Sequence, residues 1–214
     1  MKYYQDITLL PDAEVSLGFI WEKVYQQIHL LLVEHKRAEN QSQIGLSFPT
    51  YGDKTFPLGN QLRLLADDEE QLVQANVIQW LQRLSDYVHV KSIKAVPSDV
   101  NEFACFYRVN PKSQQRRIKQ LDRRVTVLAQ RHGVAEDEMR AQLLTSIEQG
   151  FSESKLPYIN VQSLSSATNE QPHKFMLFIE CDKSSKPKAK GDVFTCYGLS
   201  PTEKGTTPVF VPYF

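Results

Sequence analysis

The first half of the chain alternates short apolar segments with amphipathic helical patterns. Tyr3 to Leu10 is rich in strand-forming residues, and Pro11 ends it ahead of a helix that we expect over residues 14–36. The apolar positions of this helix recur every three or four residues on one face: Ile20, Val24, Ile28, Leu31 and Leu32. Two short strands are expected next, at Ile44 to Phe48 and at Gln61 to Leu65.

A second helix and a further strand complete this half. Asp67 and Asp68 suit the start of a helix, and the apolar positions that follow keep helical spacing: Val73, Val77, Trp80, Leu81 and Leu84. Tyr87 to Val96 returns to strand composition, and Pro97 closes it. The order βαββαβ predicts an α+β protein with a ferredoxin-like domain over residues 1–97.

The second half, residues 98–214, is predicted to be a smaller α+β domain with an arginine-rich helix. That helix should begin near Pro111 or Ser113 and end at Gly133. A second helix is expected from Ala135 to Gln149. Two strands, Pro157 to Leu164 and Lys174 to Cys181, should flank a polar loop.

Charge is distributed unevenly although the total is balanced. The 25 Lys and Arg equal the 25 Asp and Glu, so composition alone does not indicate a nucleic-acid-binding protein. However, the segment from Arg108 to His132 holds eight Lys and Arg residues against one acid, Asp122. This segment is the strongest electrostatic feature of the chain.

Helical spacing separates the charges of this segment from its apolar residues. One face would carry the packing residues Ile118, Leu121, Val125 and Leu128. The opposite face would carry Lys112, Arg116, Lys119 and Arg123, with Arg117 and Arg124 at its border and Gln120 beside it. A solvated helix face is the alternative, but such faces usually alternate the signs of their charges. We therefore favour contact with a nucleic acid.

The cysteines, the apolar segments and the histidines indicate which environment, partners and cofactors to expect. The three cysteines form no CxxC pair, and we expect them to be reduced thiols in a soluble cytoplasmic protein. No apolar run approaches the length of a membrane span, so no membrane partner is expected. The five histidines lack metal-ligand spacing, and we expect neither a metal nor a cofactor.

A few side chains are candidates for chemistry, each with an ordinary structural alternative. His29 lies about 135° from the centre of the apolar stripe of its helix, so it should point away from the core; it could be an ordinary surface histidine. Ser163 and Ser165 stand at the entrance to the polar loop and could be loop residues only. Phe175 could be a core aromatic or a platform on which a base stacks.

Several motifs resemble one family, the type I-F (Ypest subtype) CRISPR endoribonucleases, which process repeat RNA into guide RNAs. The resemblance covers nearly the whole chain. It is carried by YQQIHLLLV around His29, IGLSFP at 44–49, YRV and the basic segment, LPYINVQSLSS at 156–166, FTCYGLS at 194–200 and the terminal FVPYF.

This resemblance implies roles for individual residues. His29 would serve in acid-base catalysis, Ser163 and Ser165 would hold the ribose, and Tyr197 would lie in the active site. Phe175 would stack below the scissile nucleotide. Arg108 and Asn110 would read bases near the bottom of the RNA stem, although the family usually has glutamine at the second position.

The implied activity is metal-independent cleavage of a CRISPR repeat hairpin by the 2′-hydroxyl of the RNA, in which a histidine can exchange the proton. The resemblance also implies that the protein stays with its product RNA and with other subunits of a CRISPR surveillance complex. Two alternatives remain: a non-catalytic RNA-hairpin-binding subunit, and a ferredoxin-like regulatory module whose basic helix meets an acidic protein.

Overall fold

The computed structural model of the protein describes residues 1–110, 121, 125–149, 156–163, 173–185, 193–203 and 205–214. The chain splits into two compact units: residues 1–109 with 156–214, and residues 110–155. Both contain regular structure, and helices and strands occur together in the first. The predicted α+β class is confirmed.

The first unit opens with an antiparallel sheet. Its strands are β1 (Tyr3–Leu9), β2 (Gly45–Ser47), β3 (Gln61–Ala66), β4 (Val88–Val90) and β5 (Lys94–Ala95). They lie in the order β2-β3-β1-β4, and β5 also pairs with β1. The strand predicted from Tyr87 to Val96 is thus two short strands, which pair with opposite ends of β1.

Helix α1 (Leu17–Glu34) follows β1 and is close to its predicted extent. Ser16 caps the helix, since its hydroxyl accepts a hydrogen bond from the Phe19 amide. All five residues of the predicted apolar stripe are at most 2% exposed. Trp21 and Tyr25 are buried with them, so the face of α1 that packs is wider than the sequence pattern indicated.

The prediction of the second helix is wrong in one respect, because the helix is not continuous. It divides into α2 (Glu69–Ala75), α3 (Val77–Trp80) and a 3₁₀ turn (Gln82–Leu84). The break is at Asn76, whose φ of 42° is left-handed and whose side-chain amide donates to Gln79. In α2 the buried residues are Leu72 and Ala75, whereas Val73, which the predicted stripe included, is 52% exposed.

A second antiparallel sheet belongs to the same unit. It contains β6 (Phe103–Val109), β7 (Tyr158–Ser163), β8 (His173–Ser184) and β9 (Val211–Pro212). The strand order is β7-β8-β6-β9, so the C-terminal FVPYF segment closes one side of the sheet. Arg108 is extended, as expected for a residue shortly before a proline.

One apolar core joins the two sheets. Phe48 from the first half meets Phe106 from the second with ring centroids 5.2 Å apart, and residues of both sheets are buried in the same cluster. The division into compact units therefore differs from the expected boundary at residue 97. The sequence pattern could not reveal that the second sheet shares its core with the first.

The second unit is helical in its described part. Leu121 and residues 125–132 are helical (α4), and α5 (Glu136–Gln149) follows. Their small core contains Leu121, Val125, Ala129 and Met139. Gly133 ends α4 with a φ of 66°, and the Val134 amide donates back to the Ala129 carbonyl, which is the hydrogen bond of a Schellman cap.

Two further observations concern the whole chain. No helix within the described ranges is long and apolar enough to span a membrane. All three cysteines, Cys105, Cys181 and Cys196, have free thiols.

Candidate active site

The FTCYGLS motif forms a turn that lies against the first half of the chain. Phe194 exchanges two backbone hydrogen bonds with Ser42, of 2.8 and 2.9 Å. The Leu46 amide of β2 donates to the Gly198 carbonyl at 2.8 Å. These bonds attach the turn, which we call the tyrosine turn (residues 194–200), to the IGLSFP segment and to Ser42, two residues before it.

Two glycines allow this close approach. Gly198 has a φ of 69°, and a Cβ at this position would overlap with the Leu46 side chain. A Cβ on Gly45 would overlap with the ring of Phe194. Each motif therefore needs the glycine of the other for this close approach.

His29 lies under the tyrosine turn. Its ring stacks on the Tyr197 ring, with centroids 4.4 Å apart and planes 3° from parallel. Its Nδ1 lies 2.9 Å from the Cys196 carbonyl oxygen. Because a carbonyl can only accept, Nδ1 must carry the proton. In the neutral ring Nε2 then has a free lone pair.

The surroundings of His29 correct the expectation of an outward-facing side chain. The ring does lie off the buried stripe of α1, but the tyrosine turn covers it, so that His29 is half-buried. Burial lowers the pKa of His29 below its usual 6.5, and the hydrogen bond to the Cys196 carbonyl opposes this shift. The neutral ring is therefore the main form at pH 7.

Tyr197 connects His29 to two residues of the second sheet. The Phe175 ring meets the Tyr197 ring edge to face at 6.3 Å. The Arg108 guanidinium lies 5.0 Å from the centroid of Phe175 and 5.9 Å from that of Tyr197. Burial raises the pKa of Tyr197, although Arg108 acts in the opposite direction, so its hydroxyl stays protonated at neutral pH.

Helix α1 also holds the end of β7, the strand that leads to the candidate serines Ser163 and Ser165. The Gln162 amide of β7 donates to the Gln26 side-chain oxygen at 3.0 Å, one helical turn before His29. The next residue, Ser163, ends β7 opposite His173. The strand that ends at Ser163 is thus anchored, through Gln162, to the helix that carries the histidine.

The structure brings together four of the residues predicted for the site: His29, Arg108, Phe175 and Tyr197. The side chain of Ser163 and the whole of Ser165 lie outside the described residues. So do the predicted RNA-binding residues of the basic segment: Lys112, Arg116, Arg117, Lys119, Gln120, Arg123 and Arg124. Asn110 is exposed and belongs to the other compact unit. Over the described ranges no group of three or more His, Cys, Asp and Glu residues is arranged to hold a metal ion.

Sequence reasoning missed three residues that build the site. The Tyr25 hydroxyl donates to the Tyr197 carbonyl at 2.8 Å, and the Asn40 side-chain oxygen accepts from the Cys196 amide at 3.3 Å. Gln26 is the third. A signal did exist for Tyr25, because it precedes His29 by four residues and so lies beside it on the helix.

Residues 4–212 match the family described as CRISPR-associated protein Cas_Csy4. The chain belongs to this family. The resemblance to the type I-F CRISPR endoribonucleases is thereby confirmed. The match extends over nearly the whole chain, as the resemblance indicated.

Two relatives of this Cas_Csy4 family member carry the same description, CRISPR-associated endonuclease Cas6/Csy4. The protein of Pseudomonas aeruginosa (strain UCBPP-PA14) is 31% identical over 216 residues, which cover 100% of both chains. The protein of Escherichia coli (strain UTI89 / UPEC) is 31% identical over 98% of this chain and 100% of its own. Among solved structures, one described as an RAMP protein binding different RNA substrates aligns over 99% of this chain and 100% of its own, with 10% identity and a TM-score of 0.36.

Proposed function

We propose that this protein is an endoribonuclease that binds a CRISPR repeat RNA hairpin and cleaves it at the 3′ base of the stem, producing mature guide RNA. The names of the two relatives support an endonuclease. The observation that carries the proposal is the geometry of His29. One ring nitrogen is held by the Cys196 carbonyl, and the other is left to exchange a proton with substrate.

The chemistry needs no nucleophile other than the RNA itself. Nε2 of His29 takes the proton of the 2′-hydroxyl, and the 2′-oxygen attacks the adjacent phosphorus. The bond from phosphorus to the 5′-oxygen of the next nucleotide breaks, that oxygen takes a proton from solvent, and the His29 imidazolium returns its proton to solvent. The products are a 2′,3′-cyclic phosphate and a 5′-hydroxyl end, and no metal is required at any step.

The neighbours of His29 have supporting roles in this proposal. Arg108 brings a fixed positive charge to within 6 Å of the Tyr197 ring, where it can stabilise the developing charge on phosphate. Phe175 offers a ring on which a base can stack. Ser163 and Ser165 hold the ribose, and the protonated Tyr197 hydroxyl can donate to a phosphate oxygen.

Hairpin recognition is assigned to the second unit. Asn110 would read a base near the bottom of the stem together with Arg108, and the basic helix would follow the phosphates. The RNA-facing residues of that helix would be Lys112, Arg116, Arg117, Lys119, Gln120, Arg123 and Arg124. The apolar residues opposite them, Leu121 and Val125, are both 3% exposed, which supports a helix with one packed face.

The same proposal extends to fold and context. The strand order β2-β3-β1-β4 with a helix after β1 and after β3 supports a ferredoxin-like arrangement for the first half. Three free thiols suit the reducing cytoplasm. Other subunits of a CRISPR surveillance complex are the expected protein partners.

The decisive experiment uses the CRISPR repeat RNA of the host in EDTA, with both product ends mapped. We expect cleavage without added metal, and none when only the scissile 2′-hydroxyl is replaced by hydrogen, since the nucleophile is then missing. Binding of the deoxy hairpin should persist. Cleavage of the deoxy hairpin at a normal rate, or a requirement for magnesium, would contradict the mechanism.

A different outcome would favour the alternative function. Tight and specific hairpin binding with no cleavage of the unmodified RNA would indicate a non-catalytic RNA-hairpin-binding subunit. In that case the stack of His29 on Tyr197 would serve only to fix the tyrosine turn.

A further inference from the structure

Tyr25 and His29 hold two successive carbonyl groups of the tyrosine turn. The two residues are one turn apart on α1 and therefore project from the same side of the helix. The Tyr25 hydroxyl donates to the Tyr197 carbonyl at 2.8 Å, and His29 Nδ1 donates to the Cys196 carbonyl at 2.9 Å. The two peptide groups on either side of the Tyr197 Cα are thus each held by a side chain of α1.

Tyr25 is fully buried, which makes its hydrogen bond selective. A buried hydroxyl without a partner is costly, so the hydroxyl favours the single arrangement in which the Tyr197 carbonyl reaches it. A phenylalanine would fill the same space. The hydroxyl therefore contributes to the position of the turn rather than to the packing of the core.

The position of the turn determines which nitrogen of His29 carries the proton. The Cys196 carbonyl keeps the proton on Nδ1 only while it stays within hydrogen-bonding distance of the ring. The Cys196 amide is also held by the Asn40 side chain at 3.3 Å, and the Gly198 carbonyl by the Leu46 amide at 2.8 Å, whereas the Tyr197 carbonyl between them is held by Tyr25. Loss of this bond would let the turn shift away from the imidazole.

We propose that Tyr25 is a positioning residue for RNA cleavage: its hydroxyl fixes the tyrosine turn so that the Cys196 carbonyl holds Nδ1 of His29 and Nε2 faces the substrate. This inference rests on the proposed function. Tyr25 itself need not touch the RNA. Its contribution should appear in the cleavage rate and in the histidine tautomer, with little effect on hairpin binding.

The test compares Tyr25→Phe with Tyr51→Phe in the full-length protein. Tyr51 is a matched control, because its hydroxyl also donates to a backbone carbonyl, that of Ile179 at 3.0 Å, away from His29. The measurements are the single-turnover cleavage rate, the hairpin Kd and the ¹⁵N shifts of the His29 ring. We expect Tyr25→Phe to cleave about fivefold to tenfold more slowly, which corresponds to one hydrogen bond. Its Kd should stay unchanged, and Nε2 protonation of the neutral ring should increase.

Several outcomes would overturn the inference. Tyr25→Phe with the wild-type rate and tautomer would remove the positioning role. An equal loss of cleavage rate in both variants would indicate that the loss comes from a lower stability of the protein, and not from the position of the tyrosine turn. If the wild-type protein itself fails to cleave, the proposed function is wrong, whereas an unchanged ¹⁵N spectrum in Tyr25→Phe separately refutes the effect on His29.

Discussion

The two ring nitrogens of His29 have different surroundings, and the difference bears on its role. Nδ1 is engaged with the Cys196 carbonyl, and burial lowers the pKa of the ring, so the free protein holds a neutral imidazole with its lone pair on Nε2. Bound RNA phosphates would raise that pKa again and stabilise the imidazolium that forms when the proton is taken. These conditions favour a general base in the first step.

A pH profile of cleavage tests this assignment. Because the pKa of His29 is lowered, the neutral base predominates at pH 6.5 and above and is lost as the pH falls through the lowered pKa. The second-order rate constant, measured in single turnover at low protein concentration, should therefore be level near pH 7 and fall about tenfold per pH unit on the acid side.

The histidine variants provide the control for this profile. His29→Ala should lose about 10² to 10⁴-fold in rate and also the acid limb, while it retains hairpin binding. His89→Ala changes an exposed histidine on β4 and should behave as wild type. A rate that increases as the pH falls below 6.5 would instead make His29 the general acid.

At the scale of elements, the tyrosine turn and β2 form one interlocked structure. The Gly198 carbonyl accepts from Leu46, and the same glycine lies against the Leu46 side chain with a left-handed backbone. The turn presents both the carbonyl that binds His29 and the ring that stacks on it. Its backbone conformation is therefore part of the candidate site.

Gly198→Ala should damage both stability and cleavage. A left-handed φ costs about 1 kcal/mol for alanine, and the overlap with Leu46 should add about 1–3 kcal/mol and displace the turn. Gly52→Ala is the matched control, since Gly52 has a φ of 89° but no atom within 4 Å of a Cβ. Chemical denaturation and single-turnover cleavage measure the two effects. An equal loss of stability in both variants would show that the overlap with Leu46 has no consequence.

A second prediction at this scale concerns binding of the RNA hairpin by the predicted basic helix. Replacing Lys112 and Arg116 by glutamine should weaken hairpin binding and reduce the slope of log affinity against log salt by about two, or one per lost phosphate contact. Replacing Lys91 and Lys94, two exposed cations of the first unit, serves as the control. Unchanged affinity and slope in the Lys112 and Arg116 variant would contradict docking of this face on RNA.

At the scale of the molecule, the two halves of the chain share an apolar core, and Arg63 of the first half forms a buried ion pair and also contacts Phe214 of the second half. Arg63 on β3 binds Asp6 on β1 with Nε 2.6 Å from the carboxylate, and both side chains are less than 10% exposed. The same guanidinium donates to the Phe214 carbonyl and lies 3.8 Å from the centroid of its ring. The FVPYF segment is thereby attached to the first sheet as well as to β6.

Asp6→Ala should lower the free energy of unfolding by about 3–5 kcal/mol, because it leaves the buried charge of Arg63 without its carboxylate. Since residues of both sheets lie in one core, the first unit should still unfold in one transition. Lys174→Ala, which removes a 62% exposed partner of Glu22, should cost less than about 1 kcal/mol. Denaturant unfolding distinguishes these values. A loss below 1 kcal/mol for Asp6→Ala would show that the buried charge of Arg63 does not need the Asp6 carboxylate for its stabilisation.

Local patterns in the sequence were sufficient to predict most elements. Alternation and helical spacing gave β1 and α1 nearly to their ends, and the glycine at 133 marked the end of α4, because these features depend on neighbours within one or two turns. The pattern failed at Asn76, where a left-handed residue and a side-chain bond to Gln79 interrupt the helix without disturbing its apolar spacing.

What the sequence alone determined was the family and a set of candidate residues; what only the tertiary structure decided was which of these lie together and what surrounds them. His29, Arg108, Phe175 and Tyr197 were identified from motifs, but the buried position of the imidazole was not. It arises from a turn that follows His29 by more than 160 residues and covers it. Helical geometry determines only the direction in which a side chain leaves its own helix, whereas its pKa and tautomer depend on contacts between segments far apart in the chain.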